Sequence, residues 1–116
     1  MNKACRTTGC KTVVPPEIES EGHCLLHFTL RLEQKCADLR RETVSGQSTA
    51  ERNAEILHFI SEQGEMLARV STSGLHMADE LKARVLSTFL TLMNLRESLD
   101  RAALRMVPTR TTIRQG

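Results

Sequence analysis

The sequence predicts a mainly α-helical protein in which a small N-terminal module precedes an antiparallel three-helix bundle. Three observations support this fold class. Cysteine and histidine residues gather in the first quarter of the chain, apolar residues then recur at three- and four-residue spacing, and two Ser- and Gly-containing segments divide that pattern. Such spacing is typical of amphipathic helices, and short connections between long helices favour antiparallel neighbours.

The first helix is expected from His23 to Glu42. Arginines at 40 and 41 lie in its last turn, where cations favour the negative end of the helix dipole. Its apolar residues form one amphipathic stripe, made of Leu25, Phe28, Leu32, Cys36 and Leu39. Cys36 is therefore interpreted as a small core residue rather than a reactive thiol.

The second helix is expected from Thr49 to Ser71. Ser48 followed by Glu51 has the spacing of a capping box, which favours a helix start here. Gly64 either allows a neighbour to approach closely or simply weakens the helix. The apolar residues fall in two adjacent rows, Leu57, Ile60 and Leu67 beside Ile56, Phe59, Met66 and Val70.

The third helix is expected from Leu75 to Met106 and to end before Pro108. Its apolar residues cover more than one side, because a second row accompanies the heptad-like one. Two shorter helices would cover two sides of it, so a third apolar surface is expected near Leu86, Leu90 and Met93. The first row is Ala78, Leu81, Val85, Leu92, Leu95, Leu99, Ala102 and Met106, and the second adds Leu86, Phe89, Leu90 and Met93.

The most specific feature is a set of four residues with the spacing of metal ligands. Cys5, Cys10, Cys24 and His27 form the pattern C-x4-C-x13-C-x2-H. Residues three apart on a helix share a face, so Cys24 and His27 can reach one ion together. Three thiolates and an imidazole suit tetrahedral zinc, and the sequence therefore predicts a structural zinc site.

A second ligand set replaces Cys24 by His23 and gives C-x4-C-x12-H-x3-H, the pattern of DNA-reading fingers. Its recognition helix would begin after Pro15 and Pro16 and would contain Gly22. Three carboxylates in this segment, Glu17, Glu19 and Glu21, would repel DNA phosphates. The Cys3His set is therefore preferred. His23 is expected to be an exposed bystander, with a hydrogen bond to a ligand or a cap on the helix as the alternatives.

With the preferred set, the N-terminal segment resembles a treble-clef-like zinc finger. The knuckle would be Cys5–Cys10, with Gly9 as its permissive residue, and 11–14 would form a short strand that stops at Pro15. The resemblance implies that the knuckle supplies two ligands and that the first turn of the following helix supplies two more. The expected domains are a zinc-binding finger over 1–27, a helical bundle over 23–107 and a disordered tail over 108–116.

Composition narrows the classes of partner. The chain has 116 residues with a net charge of +2, no Trp or Tyr and three Phe, which is unlike a base-stacking nucleic-acid platform. No signal-peptide pattern and no membrane-spanning stretch is recognised. The four cysteines are therefore expected to be reduced in the cytoplasm.

The expected function is a small interaction protein that binds a protein partner, or itself as a coiled-coil-like dimer, through helix three. The alternative is a nucleic-acid-binding regulator, for which the basic end of the chain argues with Arg101, Arg105, Arg110 and Arg114. An enzyme is not expected, because four protein ligands leave zinc no open position. His58 and His76 have no partner at ligand spacing and are not expected to take part in a site.

Overall fold

The computed structural model describes residues 3–46 and 49–115, with side chains as far as Ala102. A 3-10 helix at Pro16–Glu21 precedes the helices α1 (Leu25–Val44), α2 (Ala50–Thr72) and α3 (Asp79–Gln115). The predicted mainly α fold with three packed helices is confirmed. The strand expected over 11–14 is wrong, because the described residues contain only one isolated antiparallel bridge, between Ala4 and Val13.

The starts of α1 and α2 lie within two residues of their predicted positions. The cap of α2 differs from the prediction. Thr49 is the N-cap, and its hydroxyl oxygen accepts a hydrogen bond of 3.0 Å from the backbone N–H of Arg52. Ser48 lies outside the described residues. The cap is therefore still a hydroxyl side chain, one residue later than predicted, because Ser and Thr are both favourable N-cap residues.

Both predicted ends of α3 are wrong. Gly74 has φ +87°, and the next residues form a connection until the backbone N–H of Lys82 bonds to the carbonyl of Ala78. Asp79 and Glu80 then occupy the first turn, where carboxylates favour the positive end of the dipole. At the other end α3 continues past Pro108, since a proline removes one donor and can kink a helix without ending it. The domain division stays a prediction.

α3 packs against both α1 and α2 and supplies the largest share of the interface. On α1, all five members of the predicted stripe are buried, including Cys36. A polar contact also joins α1 and α3, where Glu33 accepts hydrogen bonds from Arg84 Nε at 2.8 Å and from Thr88 Oγ1 at 3.3 Å. The central members of the core are Leu32, Ile56, Ile60, Leu67, Val70, Leu92 and Leu99.

The N-terminal segment belongs to the same core as the helices. Val14 and Ile18 are buried to 4% and 0% exposure and join the cluster formed by α1, α2 and α3. The 3-10 helix that carries Ile18 packs against α2. Within the described ranges, none of the helices has a stretch that is both long and apolar enough to cross a membrane.

Candidate metal centre

The structure brings together the four residues that the spacing singled out. The thiol sulfurs of Cys5, Cys10 and Cys24 and one ring nitrogen of His27 all lie within 4.8 Å of one another. This is the only such group of Cys, His, Asp and Glu among the described residues. The predicted cluster is therefore present, and its residues converge from segments up to 22 positions apart.

Two local structures position the four side chains. The knuckle is closed by a hydrogen bond of 2.9 Å from the N–H of Cys10 to the carbonyl of Thr7, with Gly9 at φ +83°. A left-handed backbone of this kind favours glycine. The N–H of Cys5 bonds to the carbonyl of Thr12, also at 2.9 Å, which folds the knuckle back on itself. The other two residues, Cys24 and His27, stand at the start of α1.

The distances within the cluster match the edges of a zinc tetrahedron. With Zn–S and Zn–N bonds of ordinary length, such a tetrahedron has sulfur–sulfur edges of about 3.8 Å and sulfur–nitrogen edges of about 3.6 Å. The Cys10 and Cys24 sulfurs are 3.9 Å apart, far beyond a disulfide bond. His27 Nδ1 is 3.3 Å from the Cys24 sulfur and 3.4 Å from the Cys5 sulfur. His27 therefore presents Nδ1, rather than Nε2, to the centre of the cluster.

The electrostatics of the thiols favour a cation at this position. Desolvation opposes ionisation of Cys5, yet hydrogen bonds with Thr7, the Cys24 backbone and His23 lower the pKa of its thiol to about 5. Burial raises the pKa of Cys24 to about 11, and the adjacent thiols of Cys10 and Cys5 act in the same direction. The Cys5 thiolate is thus stabilised, whereas ionisation of Cys24 is opposed. A bound dication would favour ionisation of both thiols, because it compensates the charge of several thiolates at once.

His23 is not the exposed bystander that the sequence suggested. Its Nδ1 lies 3.4 Å from Thr7 Oγ1 and 3.7 Å from the Cys5 sulfur, and the residue is half-buried. His23 therefore lies beside the cluster of four, next to one of its sulfurs. Thr7, which sequence reasoning did not consider, contacts both His23 and the backbone of Cys10. No local pattern marks a threonine for this position, since its contact with His23 comes from folding across 16 residues.

Arg6 and Gly22 hold the knuckle against the chain that precedes α1. The N–H of Arg6 bonds to the carbonyl of Gly22 at 2.9 Å, and the Arg6 side chain lies across the glycine. A Cβ at position 22 would stand 2.5 Å from Arg6 Nε, and Gly22 has φ +74°. The backbone conformation therefore favours glycine here, and a Cβ would also displace the flexible Arg6 side chain.

The start of α1 lacks the usual stabilising groups. Cys24 is its N-cap residue but makes no side-chain capping hydrogen bond, and the first turn contains no acidic residue. Helix N-termini usually have an oxygen acceptor or a carboxylate at this place. Here the nearest groups that can become negatively charged are the sulfurs of the cluster.

Other residues discussed from the sequence take no part in the centre. Cys36 is buried in the core, which confirms its interpretation, and desolvation raises the pKa of its thiol to about 11. His58 is exposed and 3.4 Å from Glu62, and His76 is exposed in the α2–α3 connection. Arg101 forms an ion pair with Glu97, while the side chains of Arg105, Arg110 and Arg114 lie outside the described part.

No family model, curated protein or solved structure matches this chain. The resemblance to a treble-clef-like finger therefore rests on the residues alone. The knuckle with Gly9 and the pair at the start of α1 agree with that resemblance. The strand pairing is reduced to the single bridge between Ala4 and Val13.

Proposed function

We propose that this chain is a small zinc-stabilised interaction protein that binds a helix of another protein molecule through the exposed face of α3. In the simplest case the other molecule is a second copy of the chain. The observation that carries the proposal is the pair of exposed leucines at 86 and 90, which stand one turn apart on a helix already packed on two other sides.

The donor set and its dimensions support zinc as the metal. Three sulfurs and one imidazole nitrogen are soft and intermediate ligands, which suit Zn²⁺ better than Mg²⁺ or Ca²⁺. Cys5, Cys10, Cys24 and His27 fill all four positions of a tetrahedron, as in structural rather than catalytic zinc sites. The proposed role of zinc is to hold the knuckle on the start of α1.

The exposure of α3 supports a partner. Leu86 is 60% exposed and Leu90 is 54% exposed, and Met93 on the same side is half-buried. The buried residues Thr88, Leu92 and Leu95 face the other helices instead. Burying a leucine side chain fully is worth roughly 1.5–3 kcal/mol, so covering both leucines would favour association.

A second copy is the simplest partner because two-fold pairing buries one self-complementary patch on both molecules. The compartment is proposed to be the cytoplasm. All four cysteines are free thiols, which agrees with a reducing environment.

Sedimentation over a range of protein concentrations tests the proposal. We expect the chain to associate, and Leu90→Glu to abolish association while the helical circular dichroism is kept. Leu75→Glu is the matched control, because Leu75 is 42% exposed in the connection that precedes α3. A monomer at every concentration, with no helical partner recovered through α3, would refute the proposed function.

A further inference from the structure

A groove between α1 and α2 has the dimensions and lining of a ligand site. Its volume is about 430 Å³, within the range of roughly 300–1,000 Å³ found for small-molecule pockets. It lies on the side of the bundle formed by α1 and α2, and none of its lining residues belongs to α3. One end of the groove adjoins His23, beside the metal centre.

The walls of the groove are aromatic and aliphatic. Phe28 and Leu32 from α1 are each only 3% exposed, and Phe59 from α2 lies half-buried opposite them. Two of the three phenylalanines of the chain therefore line one small groove. Aromatic surfaces of this kind bind flat or apolar ligand groups.

The amide side chain of Gln63 also lines the groove. Gln63 is only 7% exposed, and its side chain makes no hydrogen bond to any described residue. It stands on α2 on the same face as the core residues Ile56, Ile60 and Leu67. The amide nitrogen and oxygen of Gln63 are not fully buried, so they open onto the groove and are able to hydrogen-bond a group that enters it.

The rim of the groove presents two cationic side chains, Lys35 and Arg31. Lys35 Nζ lies 5.9 Å from the centroid of the Phe59 ring, directly at the apolar wall. Arg31, one helical turn earlier, forms no ion pair with any described residue. Of the two carboxylates that line the groove, Asp38 already accepts hydrogen bonds from Arg41 and Gln34, and the other is Glu21.

We propose that the groove binds a small apolar carboxylate. Its ring or alkyl part would lie on Phe28, Leu32 and Phe59, the carboxylate would pair with Lys35 and Arg31, and the Gln63 amide would donate a hydrogen bond to the ligand. The site extends beyond the proposed protein interaction, because nothing in the binding of a helix to α3 uses these residues.

Phenylacetate is a suitable probe, and phenylacetamide is its uncharged counterpart. We expect phenylacetate to produce saturable NMR shifts of the Gln63 side-chain amide and of the Phe59 ring protons. Phenylacetamide should bind to the unchanged chain about fivefold more weakly than phenylacetate does. The Lys35→Gln variant should bind phenylacetate about fivefold more weakly than the unchanged chain does. A fivefold loss of affinity is about the upper end of the contribution of an exposed ion pair. Lys35→Arg should restore binding, since it restores the charge.

Lys82→Gln is the matched control, because Lys82 is an exposed lysine on α3 outside the groove. It should bind phenylacetate as the unchanged chain does. Gln63→Leu keeps the volume of the side chain and should weaken binding by about fivefold through loss of the hydrogen bond. The proposal is overturned if phenylacetate gives no saturable shift at Gln63. It is also overturned if the unchanged chain binds phenylacetamide as tightly as phenylacetate, and the Lys35→Gln variant binds phenylacetate as tightly as the unchanged chain does.

Discussion

Arg52 at the start of α2 holds Glu42 near the end of α1 by two hydrogen bonds. Arg52 Nε lies 2.7 Å from Glu42 Oε2, and Arg52 Nη2 lies 3.1 Å from Oε1. A guanidinium and a carboxylate in this two-point geometry are more strongly oriented than a single-point ion pair. The pair therefore joins the ends of two helices across the connection between them.

This pair predicts a specific dependence of stability on pH. The hydrogen bond from Arg52 lowers the pKa of Glu42 below its ordinary value of 4.5. A carboxyl group whose pKa is lower in the folded state stabilises the fold above its unfolded pKa, and that contribution is lost as the pH falls through the folded pKa. In Glu42→Gln, the melting temperature should therefore be lower at neutral pH and should decline less steeply in acid.

Thermal unfolding followed by circular dichroism across the acidic range measures this difference. Asp100→Asn on α3 serves as the control, since Asp100 is an exposed carboxyl group far along the chain from the pair. Parallel acid profiles for Glu42→Gln and the unchanged chain would contradict the role of the ion pair.

Gly64 should be replaceable by alanine with a gain in stability. A Cβ at this helical position would meet only Phe89 Cε1, at an ordinary contact distance of 3.8 Å. Glycine inside a helix is destabilising by roughly 0.5–1 kcal/mol relative to alanine, so Gly64→Ala should raise the free energy of unfolding by about that amount. Denaturant titration gives the value.

Gly46→Ala should change the stability in the opposite direction to Gly64→Ala. Position 46 also has open space around it, but its φ is +74°. A left-handed backbone costs an L-residue roughly 1–2 kcal/mol, so Gly46→Ala should destabilise the protein. If both variants moved stability in the same direction, space and backbone conformation would not explain the two glycines.

Metal analysis of single variants separates the two possible ligand sets. We expect the purified chain to contain one zinc ion, and Cys24→Ser to lose most of it because an incomplete set of ligands binds far more weakly. His23→Ala should keep its zinc, since His23 lies beside the cluster and outside the group of four. Loss of zinc in His23→Ala alone would support the alternative ligand set, in which His23 replaces Cys24.

Removal of the metal should disorder the N-terminal segment more than the helices. Residues 3–24 contribute mainly Val14 and Ile18 to the core, whereas each helix has its own buried stripe. Chelation should therefore leave most of the helical circular dichroism and abolish hydrogen-exchange protection at Cys5 and Cys10. Collapse of nearly all helical signal would mean that the metal is required by the whole fold.

The parts of the fold that depend on local patterns were predictable from the sequence. The α1 stripe is buried as its spacing indicates, and the cluster is made of two local pairs, one in a turn and one at the start of a helix. The predicted apolar surface near Leu86 and Leu90 is also exposed. Helix ends were less predictable, since Ser48 and Thr49 offer equivalent caps one residue apart.

Contacts between distant segments that belong to no ligand pattern were not predictable. The contact of His23 with Thr7, the crossing of Arg6 over Gly22, and the position of Gln63 in a groove with Phe28 each depend on how separate segments pack. The spacing of residues along the chain does not indicate these contacts. Gln63 in particular lies at a core position on α2, where periodicity alone suggests an apolar residue.

The uncapped start of α1 gives the cluster a second consequence. Since no side-chain oxygen or carboxylate stabilises that turn, thiolate sulfur held by a bound cation would be the group that compensates the positive end of the helix dipole there. Metal occupancy and the length of α1 would then be thermodynamically linked. Any reagent that withdraws the sulfurs, whether a chelator or an oxidant, would fray the helix from its first turn towards Leu32.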